Sequence, residues 1–187
     1  MARRTSLTAP TPDPSVVERL AHLAREIVDA LDSEKDASAQ LSEVREITGC
    51  DDYDEPFFRM LYGASSPEEF AEHAALGTPP VTPDISREEI IELISLATEP
   101  GRKQTFYLNM LEKNLPNAEI SDLIFWPDRE RTNDEIADEA LFRVSLWREG
   151  GLPAVKKHLF DLAEQVRADK DAPAWAQTWA DSYRLKP

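Results

Sequence analysis

The segment Ser121-Asp122-Leu123-Ile124-Phe125-Trp126-Pro127 sets two large aromatic residues side by side, after an acid and before a helix-stopping proline. Successive residues of a helix point about 100° apart, so one core cannot easily enclose both Phe125 and Trp126. An exposed aromatic residue beside an acid is typical of a protein-binding anchor. The competing interpretation assigns Leu123 to Phe125 to an ordinary core, with Trp126 closing its edge.

The composition favours a globular, acidic protein. The chain has 187 residues, of which 41% are hydrophobic, enough for a packed core. Its 21 Lys and Arg residues against 36 Asp and Glu residues give a formal net charge of −15. This charge disfavours nucleic acid and anionic membranes as direct partners and favours a basic protein.

Targeting and redox signals are weak throughout the chain. The single cysteine, Cys50, cannot form an internal disulfide, which fits a reducing compartment. The basic start at Met1 to Arg4 is followed by no apolar run, so we expect no signal peptide. No stretch approaches the roughly 20 apolar residues of a membrane span. We therefore expect a cytoplasmic protein with no membrane partner.

Helical signals recur along the whole chain, and no alternating strand pattern of any length accompanies them. The pattern predicts an all-α fold. Four pairs of residues have the spacing of a capping box at the start of a helix: Ser15 and Glu18, Ser66 and Glu69, Ser86 and Glu89, and Thr132 and Glu135.

Prolines and glycines suggest where the chain divides. Three prolines between Gly77 and Asp84 form the clearest linker, and Gly150-Gly151 breaks the chain again. The predicted organisation is a disordered arm over 1–14, a helical unit over 15–77, a Pro-rich linker over 78–84, a four-helix unit over 85–150 and C-terminal helices over 151–187.

The two halves carry similar signals in the same order, which suggests a tandem duplication. The alternative is two unrelated helical halves that share ordinary capping signals. The paired signals are Ser15 with Ser86, Asp54-x-x-Phe57-Phe58 with Asp122-x-x-Phe125-Trp126, Ser66 with Thr132, and Ala75-Leu76 with Ala140-Leu141.

The helix predicted over residues 102 to 114 has an apolar face with Tyr107, Met110 and Leu111. Its other face has a helical spacing of its own and carries Gln104, Thr105, Leu108, Asn109 and Glu112.

Catalytic and metal-binding patterns are not evident. The three histidines are scattered, the glycines lie at helix ends, and no nucleophile arrangement stands out, so we expect no enzyme, metal or cofactor. The aromatic stripe of Trp175, Trp179 and Tyr183 has the period of a buried seam. We interpret it as the docking face of the last helix rather than a ligand cage.

From Asp84 to about Lys156 the chain resembles the colicin and pyocin DNase immunity proteins, which are small acidic four-helix proteins. The segment Ser121 to Pro127 carries the resemblance, followed by Glu135-Ile136 and the Trp147-Arg148 pair. In that family the short third helix packs on the toxin with a Tyr-Tyr pair, and the second helix tunes which toxin is bound.

The resemblance implies which residues face a toxin. The implied positions are Asp122, Phe125, Trp126 and Pro127, with Gln104, Thr105, Leu108, Asn109 and Glu112 on a specificity helix and Asp54, Phe57 and Phe58 in a possible second copy. Phe125 lacks the tyrosine hydroxyl, and Arg102-Lys103 makes the second helix less acidic than in the family. The N-terminal half and the C-terminal helices lie outside the family pattern.

The expected function is therefore a bacteriocin immunity protein that neutralises a basic, DNase-type nuclease toxin. A different class remains open, namely a helical adaptor or regulatory module that self-associates through Phe57-Phe58 and Phe125-Trp126. A small-molecule-binding or catalytic bundle is the third alternative. The sequence leaves the oligomeric state and the cognate toxin undetermined.

Overall fold

The structure, a computed structural model, describes residues 4 to 183. Over this range it contains helices and no strands, so the predicted all-α fold is confirmed. None of these helices combines the length and apolar character that a membrane crossing requires. The chain divides into two compact units, one formed by residues up to Pro80 with Gly101–Phe106, the other by Val81–Pro100 and the residues from Tyr107 onward.

Within its described residues, the N-terminal unit contains four α-helices. They are α1 (Pro14–Asp32), α2 (Ser38–Thr48), α3 (Glu55–Ala64) and α4 (Pro67–Ala74). Helix α1 packs against the other three, and its leucines and Ile27 form the centre of the core. Gly49 ends α2 with φ of 65°, a left-handed conformation that glycine adopts without steric cost.

The beginning of the chain differs from the sequence-based expectation. The predicted disordered arm is wrong for residues 4 to 13, where a 3-10 helix at Thr5–Leu7 buries Leu7 completely. The cap of α1 is Asp13, whose carboxylate accepts a hydrogen bond from the Ser15 N–H at 2.8 Å. Pro14, at the first helical position, reinforces this earlier start.

Up to residue 183, the second unit contains five helices. They are α5 (Arg87–Thr98), α6 (Gln104–Asn114, whose first turn groups with the N-terminal unit), α7 (Ile120–Phe125), α8 (Asn133–Ala168) and α9 (Ala174–Ser182). Helix α8 is central, because α5, α7 and α9 all pack against it. Capping boxes start α5 at Ser86 and α8 at Thr132.

Helix α8 reverses direction at its middle. Gly151 interrupts it with φ of 64° and ψ of −165°. Across the kink, the Nε2 atom of His158 lies 2.7 Å from Oε1 of Glu139. Nineteen residues of straight helix would separate these side chains by about 28 Å, so the two segments of α8 lie side by side. Residues 151 to 183 therefore belong to the same unit as α5, which corrects the predicted boundary at residue 150.

The local structure supports little of the proposed duplication. Asp54 caps α3 by accepting a hydrogen bond from the Phe57 N–H, whereas Asp122 lies within the first turn of α7. Ser15 does not cap α1, and Ala75 follows α4 whereas Ala140 lies inside α8. Only the capping boxes at Ser66 and Thr132 correspond in structure.

Candidate partner-binding groove

Helix α7 presents its two aromatic residues outside the core. Ile120 and Leu123 are buried, whereas 40% of Phe125 and 66% of Trp126 are exposed to solvent. The helix ends at Phe125, and the N–H of the following residue, Trp126, donates to the Asp122 carbonyl at 2.8 Å. The two rings meet edge to face with centroids 6.0 Å apart. The core of this unit therefore does not absorb either ring fully.

The last helix supplies the opposite wall of a groove over these rings. The groove has a volume of about 580 Å³, within the range of small-ligand pockets, and both its walls are rich in aromatic side chains. Its lining residues are Asp122, Phe125, Trp126, Pro127, Glu130, Trp175, Thr178, Trp179, Ser182 and Tyr183.

Helix α9 docks through small residues rather than through its aromatic stripe, which corrects the sequence-based interpretation. Ala176 and Ala180 are the buried residues of the helix, and α9 packs on α8. Trp175 remains 42% exposed, and Trp179 and Tyr183 are half-buried. The alanines and the aromatics both recur every four residues, so periodicity alone did not distinguish the docking face from the groove wall.

Polar contacts hold α9 in place beside α7. The Gln177 side chain donates to the carbonyls of Val166 and Asp169 at 3.0 and 3.1 Å. The Tyr183 hydroxyl donates to Oε2 of Glu119, the residue preceding α7, at 3.2 Å. The two walls are thus connected directly as well as through α8.

The charges at the groove are negative. Asp122 and Glu130 line it, and no lysine or arginine is among its described lining residues. Arg131 in the following loop is engaged elsewhere, since it forms a buried ion pair with Asp128 at 2.7 Å. Hydrogen bonds from the backbone N–H and the hydroxyl of Thr132 lower the pKa of the Glu135 carboxyl at the start of α8, and the charges of Arg129 and Arg131 lower it further.

A buried arginine bonds to the backbone just before α7. Arg143 is only 2% exposed, and its guanidinium donates to Oε1 of Glu139 at 2.8 Å and to the Ala118 carbonyl at 3.2 Å. Burial on its own would raise the pKa of Glu139, but the hydrogen bonds from Arg143 and His158 outweigh it and hold that pKa below its ordinary value. Glu139 is therefore ionised at neutral pH and pairs with Arg143.

Burial of the phenol, together with the nearby Glu119 and Asp122 carboxylates, raises the pKa of Tyr183 to about 12. The folded chain thus holds this proton more tightly than the unfolded chain, whose tyrosine pKa is about 10. The stabilisation of the folded state by this pKa difference is complete below about pH 10, and it is lost as pH rises from about 10 to 12.

We therefore expect Tyr183→Phe to make unfolding of this unit less sensitive to pH between about 10 and 12. Urea unfolding followed by tryptophan fluorescence at several pH values measures this sensitivity. The signal reports the second unit, because that unit contains all four tryptophans: Trp126, Trp147, Trp175 and Trp179. Tyr53→Phe is the matched control, since the pKa of Tyr53 is also raised to about 12 but the residue lies in the N-terminal unit. Equal pH sensitivity of Tyr183→Phe and the unaltered protein would contradict this expectation.

The other predicted positions lie outside the groove. On α6, Tyr107, Met110 and Leu111 are buried, and the predicted specificity positions are exposed or half-buried. None of those specificity positions lines the groove: Gln104, Thr105, Leu108, Asn109 and Glu112.

The structure corrects the predicted second copy at Phe58, which does not lie at the surface. Phe58 is fully buried and Phe57 packs beside it, with their ring centroids 5.3 Å apart and both close to Phe70. The Asp54 carboxylate is occupied as a helix cap. Phe58 is therefore part of the N-terminal core and is not available to a partner, whereas Asp54 and Phe57 are half-buried.

Metal-binding clusters and other cavities are the remaining kinds of possible site. Among residues 4 to 183, no group of three or more His, Cys, Asp or Glu side chains is arranged to hold a metal ion. A cavity of about 590 Å³ lies in the N-terminal unit, with three basic and three acidic lining residues. Ion pairs between Arg25 and Glu68 and between Arg102 and Glu72 balance its charges, so it has no evident preference for a charged ligand.

A bacterial protein is similar in sequence to part of this chain. The uncharacterized protein YezA of Bacillus subtilis (strain 168) is 37% identical over 60 residues, which cover 88% of YezA and 30% of this chain. This chain belongs to the YezA family. No protein-family model matches it, and no solved structure matches it.

Membership of the YezA family does not assign an activity, because the name of YezA states none. Nothing in these comparisons points to the colicin and pyocin immunity proteins. That resemblance rests on the residues around α7.

Proposed function

We propose that this protein is a bacteriocin immunity protein that binds and neutralises a basic nuclease toxin without catalysing a reaction itself. The observation that carries the proposal is the pair of exposed rings on α7, Phe125 and Trp126, in a groove whose charged lining residues are both acidic. Exposed aromatic residues in a concave site are the anchors that dominate protein interfaces. Their place on the short helix after α6 is the one that the resemblance to immunity proteins assigns to toxin binding.

Charge and aromatic contacts would contribute differently to this binding. The net charge of −15 attracts a basic nuclease and accelerates its association. Rings that become desolvated in the complex slow its dissociation. By analogy with the immunity family, the toxin is bound beside its active centre, so DNA is kept away sterically and by repulsion between negative charges. The proposed location is the cytoplasm of the producing bacterium.

The test is protection of DNA from a panel of purified basic nuclease domains, each mixed with the full chain at increasing molar ratio. We expect one or more nucleases to lose activity near one equivalent and to co-elute with the chain in gel filtration. Inhibition must persist when DNA is in large excess, which excludes simple competition for the substrate. Full nuclease activity across the panel, with no co-elution, would contradict the proposal.

We expect the association rate with the inhibited nuclease to fall at least about tenfold as salt rises from about 10 to 150 mM, because screening shortens the reach of the protein's charge. Stopped-flow tryptophan fluorescence measures this rate, and the dissociation rate should change much less. An association rate that does not depend on salt would remove charge steering from the mechanism.

The adaptor hypothesis is the second candidate, and α9 favours it. Trp175, Trp179 and Tyr183 line the groove although they lie outside the region that resembles immunity proteins. An adaptor of this kind would bind a basic protein that is not a nuclease, or a second copy of itself. Analytical ultracentrifugation distinguishes self-association, which Trp126→Ala should then abolish.

A further inference from the structure

The groove between α7 and α9 combines two features that suit one kind of side chain. Three indole rings line it, those of Trp126, Trp175 and Trp179, and tryptophan offers the best face for a cation. The carboxylates of Asp122 and Glu130 lie among the same lining residues. Aromatic faces bordered by carboxylates favour a positively charged group that is planar or carries apolar surface.

Two charges near the groove are already partnered and do not neutralise this preference. Glu119 accepts from Tyr183, and Arg143 lies buried beneath α7, bonded to Glu139 and Ala118. Asp122 and Glu130 make no hydrogen bond or ion pair with another side chain among residues 4 to 183. Their carboxylates are therefore available to a partner.

We propose that the groove between α7 and α9 receives an arginine side chain from a basic partner protein. A guanidinium stacks on indole rings and donates two parallel hydrogen bonds to a carboxylate, which a lysine ammonium cannot do as well. The volume of about 580 Å³ exceeds what one side chain fills, so part of the adjoining partner backbone enters as well. The assignment deepens the proposed function, with the toxin as the source of the arginine, and gives α9 a role in recognition.

The test uses the full chain labelled with 15N and a capped Gly-Arg-Gly peptide as the probe. The indole N–H signals report the site directly, because three of the four tryptophans line the groove and Trp147 does not. We expect saturable shifts for Trp126, Trp175 and Trp179 and none for Trp147. The capped Gly-citrulline-Gly peptide has nearly the same shape without the charge, and we expect it to bind at least about tenfold more weakly.

Matched variants separate a built site from general attraction to an acidic protein. Trp175→Ala and Asp122→Asn should each weaken binding of the arginine peptide at least about fivefold. Trp147→Ala and Glu149→Gln remove an exposed indole and an exposed charge outside the groove and should leave it unchanged. Equal binding of the two peptides, shifts centred on Trp147, or no saturable shift would overturn the assignment. Tighter binding of choline than of the arginine peptide would also overturn it, in favour of a small cationic ligand.

The same variants distinguish failure of this inference from failure of the proposed function. If a nuclease is inhibited and the Trp175→Ala and Asp122→Asn chains inhibit it equally well, the arginine site is wrong and the immunity function stands. If the arginine peptide binds as described while every nuclease in the panel stays active, the groove assignment stands and its basic partner is not a nuclease.

Discussion

Arg143→Leu is expected to lower the free energy of unfolding of the second unit by about 3–5 kcal/mol, the usual cost of breaking a buried ion pair from one side. The substitution leaves the Glu139 carboxylate, 12% exposed, with His158 as its hydrogen-bonding partner. It also removes the hydrogen bond to the Ala118 carbonyl just before α7. This is a large share of the roughly 5–15 kcal/mol that stabilises a domain.

Urea unfolding followed by tryptophan fluorescence measures this cost, because all four tryptophans lie in the unit. Lys157→Leu is the control on the same helix, since Lys157 and Asp161 form an exposed pair at 3.6 Å and the change should cost no more than about 0.5 kcal/mol. The double variant Arg143→Leu/Glu139→Leu should recover much of the loss, because no uncompensated charge stays buried. A cost for Arg143→Leu as small as that of the control would show that the buried pair does not stabilise the unit.

Trp126→Ala is expected to weaken binding of the inhibited nuclease by about 2 kcal/mol or more, or about 30-fold in Kd. The ring is 66% exposed in the free protein, so removing it creates no cavity and should change stability by no more than about 0.5 kcal/mol. Titration calorimetry measures the affinity, and urea unfolding checks that the variant is folded.

Trp147→Ala serves as the matched control for this prediction. Trp147 is 38% exposed on α8, and it does not line the groove. We expect its removal to leave the affinity for the nuclease nearly unchanged. A folded Trp126→Ala variant that binds as tightly as the unaltered protein would contradict the role given to α7.

Signals that act over a few residues predicted the structure well. The capping boxes at Ser66, Ser86 and Thr132 start helices in the structure, because the cap and its glutamate bond each other within one turn. The capping box predicted at Ser15 does not form because Asp13, followed by Pro14, offers an equally good cap two residues earlier. Local chemistry allows both starts, and the helix begins with the cap at Asp13.

The two aromatic pairs show where local reasoning ends. Phe57-Phe58 and Phe125-Trp126 follow an acid at the same spacing, yet the first pair is packed in a core and the second is exposed. The difference lies in the partner, since Phe70 of α4 packs against both Phe57 and Phe58. No residue close to either aromatic pair in the sequence predicts the contact with Phe70.

The sequence by itself determined the helical class, most helix boundaries, the negative charge and the segment Ser121 to Pro127 as a candidate site, because these depend on composition and on contacts within a few residues. Tertiary structure alone decided that the α8 kink brings His158 back to Glu139, and that α9 docks through Ala176 and Ala180. That docking places Trp175 on the groove that Trp126 also lines, although the two residues are about 50 positions apart in the chain. Helical periodicity gives the faces of each helix but not their partners, because packing between distant helices depends on the shapes of both surfaces.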